Sequence, residues 1–154
     1  MSNDTLNHEQ VVRLCRGNIE AIDWIQIGHR YIHEIDDLID EDLPQANRVR
    51  GAERVCRIGA IAIQLYTHPF FIKNGAALSQ AMLTNTNNYA DSVRWEQSEI
   101  PWQRNFSDWA RHGWIDVALI VAYICGGWEN MRNEAAELRA LSYIDHHDDR
   151  GKAH

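Results

Sequence analysis

Cysteine and proline are scarce in this 154-residue chain, with three of each, and no two cysteines form a CxxC pair. Cys15, Cys56 and Cys125 stand far apart in the sequence and are odd in number. That excludes a disulfide framework and a thiol-paired zinc site, and leaves reduced thiols in apolar helical settings. No uninterrupted apolar run is long enough to span a bilayer; the longest candidate, IDVALIVAYICGGW, contains Asp116. The opening MSNDTLNHEQ is polar and acidic, unlike a secretory signal, so a soluble cytoplasmic protein with no membrane contact is expected. Walker loops, GxGxxG, nucleophile elbows, HExxH and the ExxH pairs of di-iron bundles are all missing. A formal net charge of -7 disfavours a non-specific grip on a nucleic-acid backbone.

What the chain does have is 45% hydrophobic residues, six tryptophans and five tyrosines, enough for one sizeable core. Period-two alternation is absent, while apolar residues recur at helical spacing and the prolines punctuate them. The expected fold is all-α: a single-domain bundle of about five helices over 1–154, ordered from about 4 to 145 between polar termini. The first helix, capped by Asp4, ends near Arg16, and Asn18 caps a second that runs to about Asp42. After Pro44 a third covers about Gln45 to Tyr66, and a fourth covers about Ala76 to Ser98 with a pause near Thr84 to Asn87. EIPWQRNFSDW reads as a connector, and Ser107 caps a last segment that pauses at Gly126–Gly127 and ends near Tyr143.

The second helix carries the strongest chemical signal, HRYIHEIDDLIDED. At about 100° per residue, Trp24, Gly28, Tyr31, Ile32, Ile35, Leu38 and Ile39 share one arc, the core face. Glu34, Asp37 and Glu41 fall opposite, toward solvent, although Asp37 borders the site. His29, His33, Asp36 and Asp40 follow neither group; at i, i+4, i+7 and i+11 they form a ridge along the edge of the apolar arc. Like charges one turn apart repel, and buried carboxylates cost several kcal/mol unless compensated. Either the ridge turns out to water or a divalent cation neutralises it. Asp36, Asp37 and Asp40 offer the oxygen ligands that Mg2+ or Mn2+ prefers, and His33 could join them or favour a softer metal with His29.

A second polar row, Asn88, Ser92 and Glu96, recurs every four residues on one helix, on the side of Leu78 and Met82. It suits oxygen coordination of Mg2+ or, equally, a polar network between helices. Asp116 lies inside the apolar WIDVALIVAYIC, where a carboxylate is expected to be buried and paired, with His112 as its local partner. Arg50, Arg54 and Arg57, with Arg48, follow the acidic helix closely and read as a phosphate clamp or as salt-bridge partners of the acids. HHDD, His146 to Asp149, reads as a polar tail, and GGWENMR as a helix break or a pocket wall.

DDLID (Asp36, Asp37, Asp40) resembles the DDxxD motif of class I isoprenoid synthases, and NYADSVRWE (Asn88, Ser92, Glu96) resembles their second metal motif. Tyr89 stands where that motif carries Asp, and the chain is about half the length of those enzymes. The helical layout is also similar to the all-α nucleotide pyrophosphohydrolases, the dimeric dUTPases among them, with Glu34 and Asp37 or Asp37 and Asp40 in place of their first acidic pair. HEIDDLID, YADSVRWE and ICGGWENMR together resemble small helical proteins encoded by tailed phages.

These resemblances imply an all-α, Mg2+-dependent domain that binds a small anionic ligand, a nucleotide-type phosphoanhydride, and hydrolyses it. Asp36, Asp37, Asp40 and His33 with Asn88, Ser92 and Glu96 would hold the metal, and Arg50, Arg54 and Arg57 the phosphates. Glu96 or Asp116 would orient the attacking water. A binding protein without turnover and an isoprenoid-diphosphate enzyme are the alternatives. A homo-oligomer is expected, because short bundles often complete a site across an interface.

Overall fold

The computed structural model describes residues 6–40 and 47–150, and of 141–150 the backbone only. Asp4, Glu41, Asp42, Pro44 and Gln45, and the side chains of HHDD, lie outside the described residues. The protein is all-α: among the described residues there are six helices and no strand. They are α1 (His8–Leu14), α2 (Ile19–Asp40), α3 (Arg48–Thr67), α4 (Pro69–Trp95), α5 (Pro101–Arg111) and α6 (Trp114–Arg150). None is by itself long and apolar enough to cross a membrane. Contacts group the chain into two compact units, Ile19–Gly75 and the remainder.

The unit Ile19–Gly75 is a helical hairpin followed by the first turns of α4. Trp24, 0% exposed, donates its indole N–H to the Leu65 carbonyl at 3.0 Å, and its ring packs on Phe70 and Phe71. Ala21, Ile25, Ile27 and Gly28 of α2 and Ile61 and Leu65 of α3 complete the core at this end. His68 ends α3 in extended backbone before Pro69, and its ring meets Asp23 at 3.0 Å. Beyond Gly28 no described residue of α2 is fully buried; Tyr31, Ile32, Ile35 and Leu38 are half-buried and Ile39 is exposed. The arc read as a core face is therefore a core over its first half only. α4 starts at Pro69, where the THPFF turn also reads as a helix start, and runs on past Ala76; its break falls at Asn74, whose amide donates to the Phe70 carbonyl at 2.9 Å. Thr84 to Asn87, where a pause was expected, are continuous helix.

In the other unit, Asn7 caps α1 through a reciprocal pair of bonds, Glu9 N–H to its Oδ1 at 2.9 Å and its own N–H to Gln10 Oε1 at 3.0 Å. α1 packs on α6, where Arg13 reaches Glu134 at 3.1 Å and Glu137 at 2.6 Å. Asn130, 8% exposed, donates to the Leu14 and Ala122 carbonyls, each at 2.8 Å, tying the end of α1 to the bend of α6. That bend is at Gly127, with φ 73° and ψ -169°, a conformation open essentially to glycine alone, so the pause expected at Gly126–Gly127 is present. Cys15 and Cys125, distant in sequence, meet here in a thiol hydrogen bond; that bond and burial push the Cys15 thiol up. EIPWQRNFSDW is no connector: Pro101 opens α5 at a position where a missing N–H costs nothing, Trp95 meets the rings of Trp102 and Phe106 edge-on at 5.3 and 5.4 Å, and Phe106 meets Trp109 at 5.7 Å. Ser107 is inside α5, donating to the Ser92 carbonyl at 2.6 Å instead of capping the last helix.

Candidate anion site on the helical hairpin

Two contacts set the register of the α2–α3 hairpin. Trp24 meets Leu65 near its base, and Glu34 meets Arg57 further out, with Arg57 Nη1 to Glu34 Oε1 at 3.2 Å. The antiparallel register they define brings Asp40 level with Arg50, and Asp36 level with Arg54. Carboxylates on one arm thus face the level of guanidiniums on the other.

Glu34, read from the sequence as ordinary solvated charge, is 22% exposed and lies between two arginines. Its second oxygen is 3.9 Å from Arg54 Nε, and the Arg54 side chain is only 14% exposed. Two guanidiniums converging on one carboxylate are already disposed to grip an oxyanion. Beside them opens a cleft of about 470 Å3, lined among the described residues by Asn47, Val49, Arg50, Glu53, Arg54 and Arg57. Three guanidiniums here stand near the carboxylates of Glu34 and Glu53. Asn47, Val49 and Glu53, together with Glu34, are the site residues that reading α2 alone missed; the antiparallel register of the two helices was the signal that could have found them.

The acidic ridge is more open than a metal cage. Asp36 is half-buried, and Asp37 and Asp40 are exposed. The half-buried His33 and His29 face one another, Nε2 to Nε2 at 3.0 Å with rings T-shaped 4.2 Å apart, so one imidazole can donate to the other. Among the described residues no three His, Cys, Asp or Glu side chains gather closely enough to hold an ion by themselves. Mg2+ does not require such a cage; it is commonly held by one or two carboxylates, with phosphate oxygens and water completing its shell. The ridge fits a cation that arrives with its phosphate.

Asn88, Ser92, Glu96 and Asp116 belong to the other unit. Ser92 is 0% exposed; its hydroxyl donates to the Tyr89 carbonyl at 2.7 Å and its own carbonyl accepts from Ser107. Asn88 is half-buried one turn earlier. Glu96 is exposed and paired with Arg111 at 3.1 Å. Asp116 is a correction to the sequence reading: it is 43% exposed rather than buried, and its partner is Arg139 at 2.8 Å. The bend at Gly127 is what turns the later part of α6 back to that carboxylate. No protein family, curated protein or solved structure matches this chain.

Proposed function

We propose that the protein is a cytoplasmic binding protein for a nucleotide-type phosphoanhydride, taken up as its Mg2+ complex on the α2–α3 hairpin. The observation that carries this reading is the arginine-lined cleft on α3, at the level of the hairpin where α2 carries its acidic residues and Glu34 meets Arg54 and Arg57. Arg50, Arg54 and Arg57 would neutralise phosphate charge, with planar guanidiniums suited to two-point contacts on phosphate oxygens. Asp36 and Asp40, with Asp37 beside them, would hold the cation that the ligand brings, which relieves their mutual repulsion. Free thiols at Cys15, Cys56 and Cys125 accord with a reducing compartment.

Binding is favoured over hydrolysis by one specific observation. Glu96 and Asp116, the carboxylates that would orient an attacking water, are both held by arginines. Neither belongs to the Ile19–Gly75 unit that carries the arginine cleft, and each is already occupied by its arginine.

Calorimetric titration with inorganic pyrophosphate and a panel of nucleoside triphosphates, each with Mg2+ and with EDTA, tests the reading. Binding that Mg2+ tightens roughly tenfold, about 1.4 kcal/mol, is expected. Release of phosphate during the titration would move the assignment to the hydrolase reading. No binding to any member of the panel would remove the proposal.

A further inference from the structure

Cys56 is exposed on α3, whereas Cys15 and Cys125 come together where α1 ends against α6. The approach of the two backbones is fixed on both sides of Cys15. Before it, the Leu14 carbonyl shares the Asn130 amide nitrogen with the Ala122 carbonyl, each at 2.8 Å, so the two oxygens lie no further apart than twice that. After it, Arg16 lies over Gly126, the residue next to Cys125; a Cβ added to that glycine would meet Arg16 Cδ at 2.5 Å. The neighbours of Cys15 are thus seated on the turn of α6 that carries Cys125, and the two thiols meet in a hydrogen bond. Arg16 keeps its place in left-handed backbone, φ 51°, the one non-glycine residue with positive φ among the described residues. A long side chain adopts that conformation where its surroundings impose it, and here it turns the chain out of α1 directly after the buried thiol. The two sulfurs are unequal. Cys15 is 0% exposed and Cys125 is half-buried, so a small oxidant from solvent meets Cys125 first. The hydrogen bond from Cys15 holds the Cys125 thiol below its ordinary range, which favours the nucleophilic thiolate there.

We infer that Cys15 and Cys125 form a reversible oxidation site, a dithiol that hydrogen peroxide converts to a disulfide between α1 and α6. Cys125 is the sulfur that meets the peroxide, and Cys15 is the resolving thiol. The Cys125 thiolate attacks one peroxide oxygen, the O–O bond breaks, and the other oxygen leaves as hydroxide, which takes up the thiol proton to become water. The Cys15 sulfur then attacks the Cys125 sulfenic sulfur. The S–O bond breaks, and that oxygen leaves as a second water with the Cys15 proton. One peroxide is reduced and two thiols are oxidised. A cellular thiol reverses the bridge by exchange, so the site works in a reducing compartment. Both cysteines belong to the unit that does not carry the arginine cleft, so this site and the anion site stand or fall separately.

The test treats the full chain, folded and reduced, with hydrogen peroxide under conditions that fully oxidise free glutathione. Catalase stops the reaction, and iodoacetamide is added after unfolding. Peptide mapping of the wild type is expected to show the loss of two alkylation sites, with Cys15 and Cys125 joined and Cys56 alkylated. Dithiothreitol should restore both thiols. Cys15→Ala, with its helical circular dichroism retained, should instead leave Cys125 as a sulfenic acid that dimedone captures. Cys56 is the internal control, because exposure alone would favour its oxidation. Oxidation of Cys56 ahead of the pair in the wild type would overturn the inference. So would a bridge between any other two cysteines, conversion of Cys125 to sulfinic acid without a bridge, or three thiols that all stay open to alkylation.

Discussion

Arg57 donates to Glu34 at 3.2 Å across the α2–α3 hairpin, and so joins a residue of the acidic arm to the arginine cleft. With Arg54 Nε 3.9 Å from the other oxygen, Glu34 acts as an internal anion in a place that suits an external one. Glu34→Gln should therefore have opposite effects on stability and binding. Removing the carboxylate charge between Arg57 and the mostly buried Arg54 is expected to cost about 1 kcal/mol, read from urea denaturation. The same variant should bind inorganic pyrophosphate several-fold more tightly, because the guanidiniums no longer share their charge.

Asn130 is expected to be the most sensitive polar residue of its unit. Its one amide nitrogen serves both the Leu14 and Ala122 carbonyls at 2.8 Å. Asn130→Ala leaves both without that donor in a buried place, at a cost of about 2–3 kcal/mol. A fall in the urea midpoint with an unchanged m value checks it.

The two adjacent glycines of α6 should fail for different reasons. At Gly127 the backbone is the obstacle, φ 73° and ψ -169°, although nothing lies within 4 Å of an added Cβ. At Gly126 space is the obstacle, with Arg16 Cδ at 2.5 Å and Asn130 Cβ at 2.7 Å from such an atom. Gly127→Ala is expected to cost about 1–3 kcal/mol from strain alone. Gly126→Ala should in addition displace Asn130, so combining it with Asn130→Ala should cost less than the sum of the two, a double-mutant cycle in thermal unfolding.

The Arg13–Glu137 pair gives a pH dependence of fixed sign. Hydrogen bonds from Arg13 and Gln10 hold the Glu137 carboxyl below its ordinary range. A carboxyl depressed in the folded state contributes stability above its unfolded pKa, and that contribution is lost as pH falls through the folded one. Urea midpoints of wild type and Glu137→Gln should differ at neutral pH and converge as pH falls below the ordinary carboxylate range; the exposed pair keeps the difference small.

Most of the helical framework was legible because apolar spacing and punctuation agree. α2 and α3 fall within a few residues of the bounds read from Asn18 and from the run ending at Tyr66. α5 was missed although Trp102, Phe106 and Trp109 fall at i, i+4 and i+7 on one helical stripe, because the segment is short and opens on a proline that reads as a break. The Asn74 break rests on a side-chain bond to the Phe70 carbonyl, a competition that spacing does not reveal.

For the site, projecting α2 around its own axis placed Asp36 and Asp40 on one ridge. It misjudged Glu34, because the arginines that claim it arrive from another helix. Asp116 was misjudged likewise: its partner Arg139 returns to it only through the bend at Gly127. That the α3 arginines pair with the acids of α2 was legible; which acid they claim, and the return of Arg139 to Asp116, were not.

Titration of Mg2+ and pyrophosphate into the wild type, Arg50→Ala and Asp40→Asn tests the central claim most directly, since both substituted positions are exposed and sit at one level of the hairpin. The account predicts binding to the wild type that weakens roughly tenfold or more in Arg50→Ala, and that loses its dependence on Mg2+ in Asp40→Asn. Binding of equal strength in all three proteins, or none in the wild type, would contradict it.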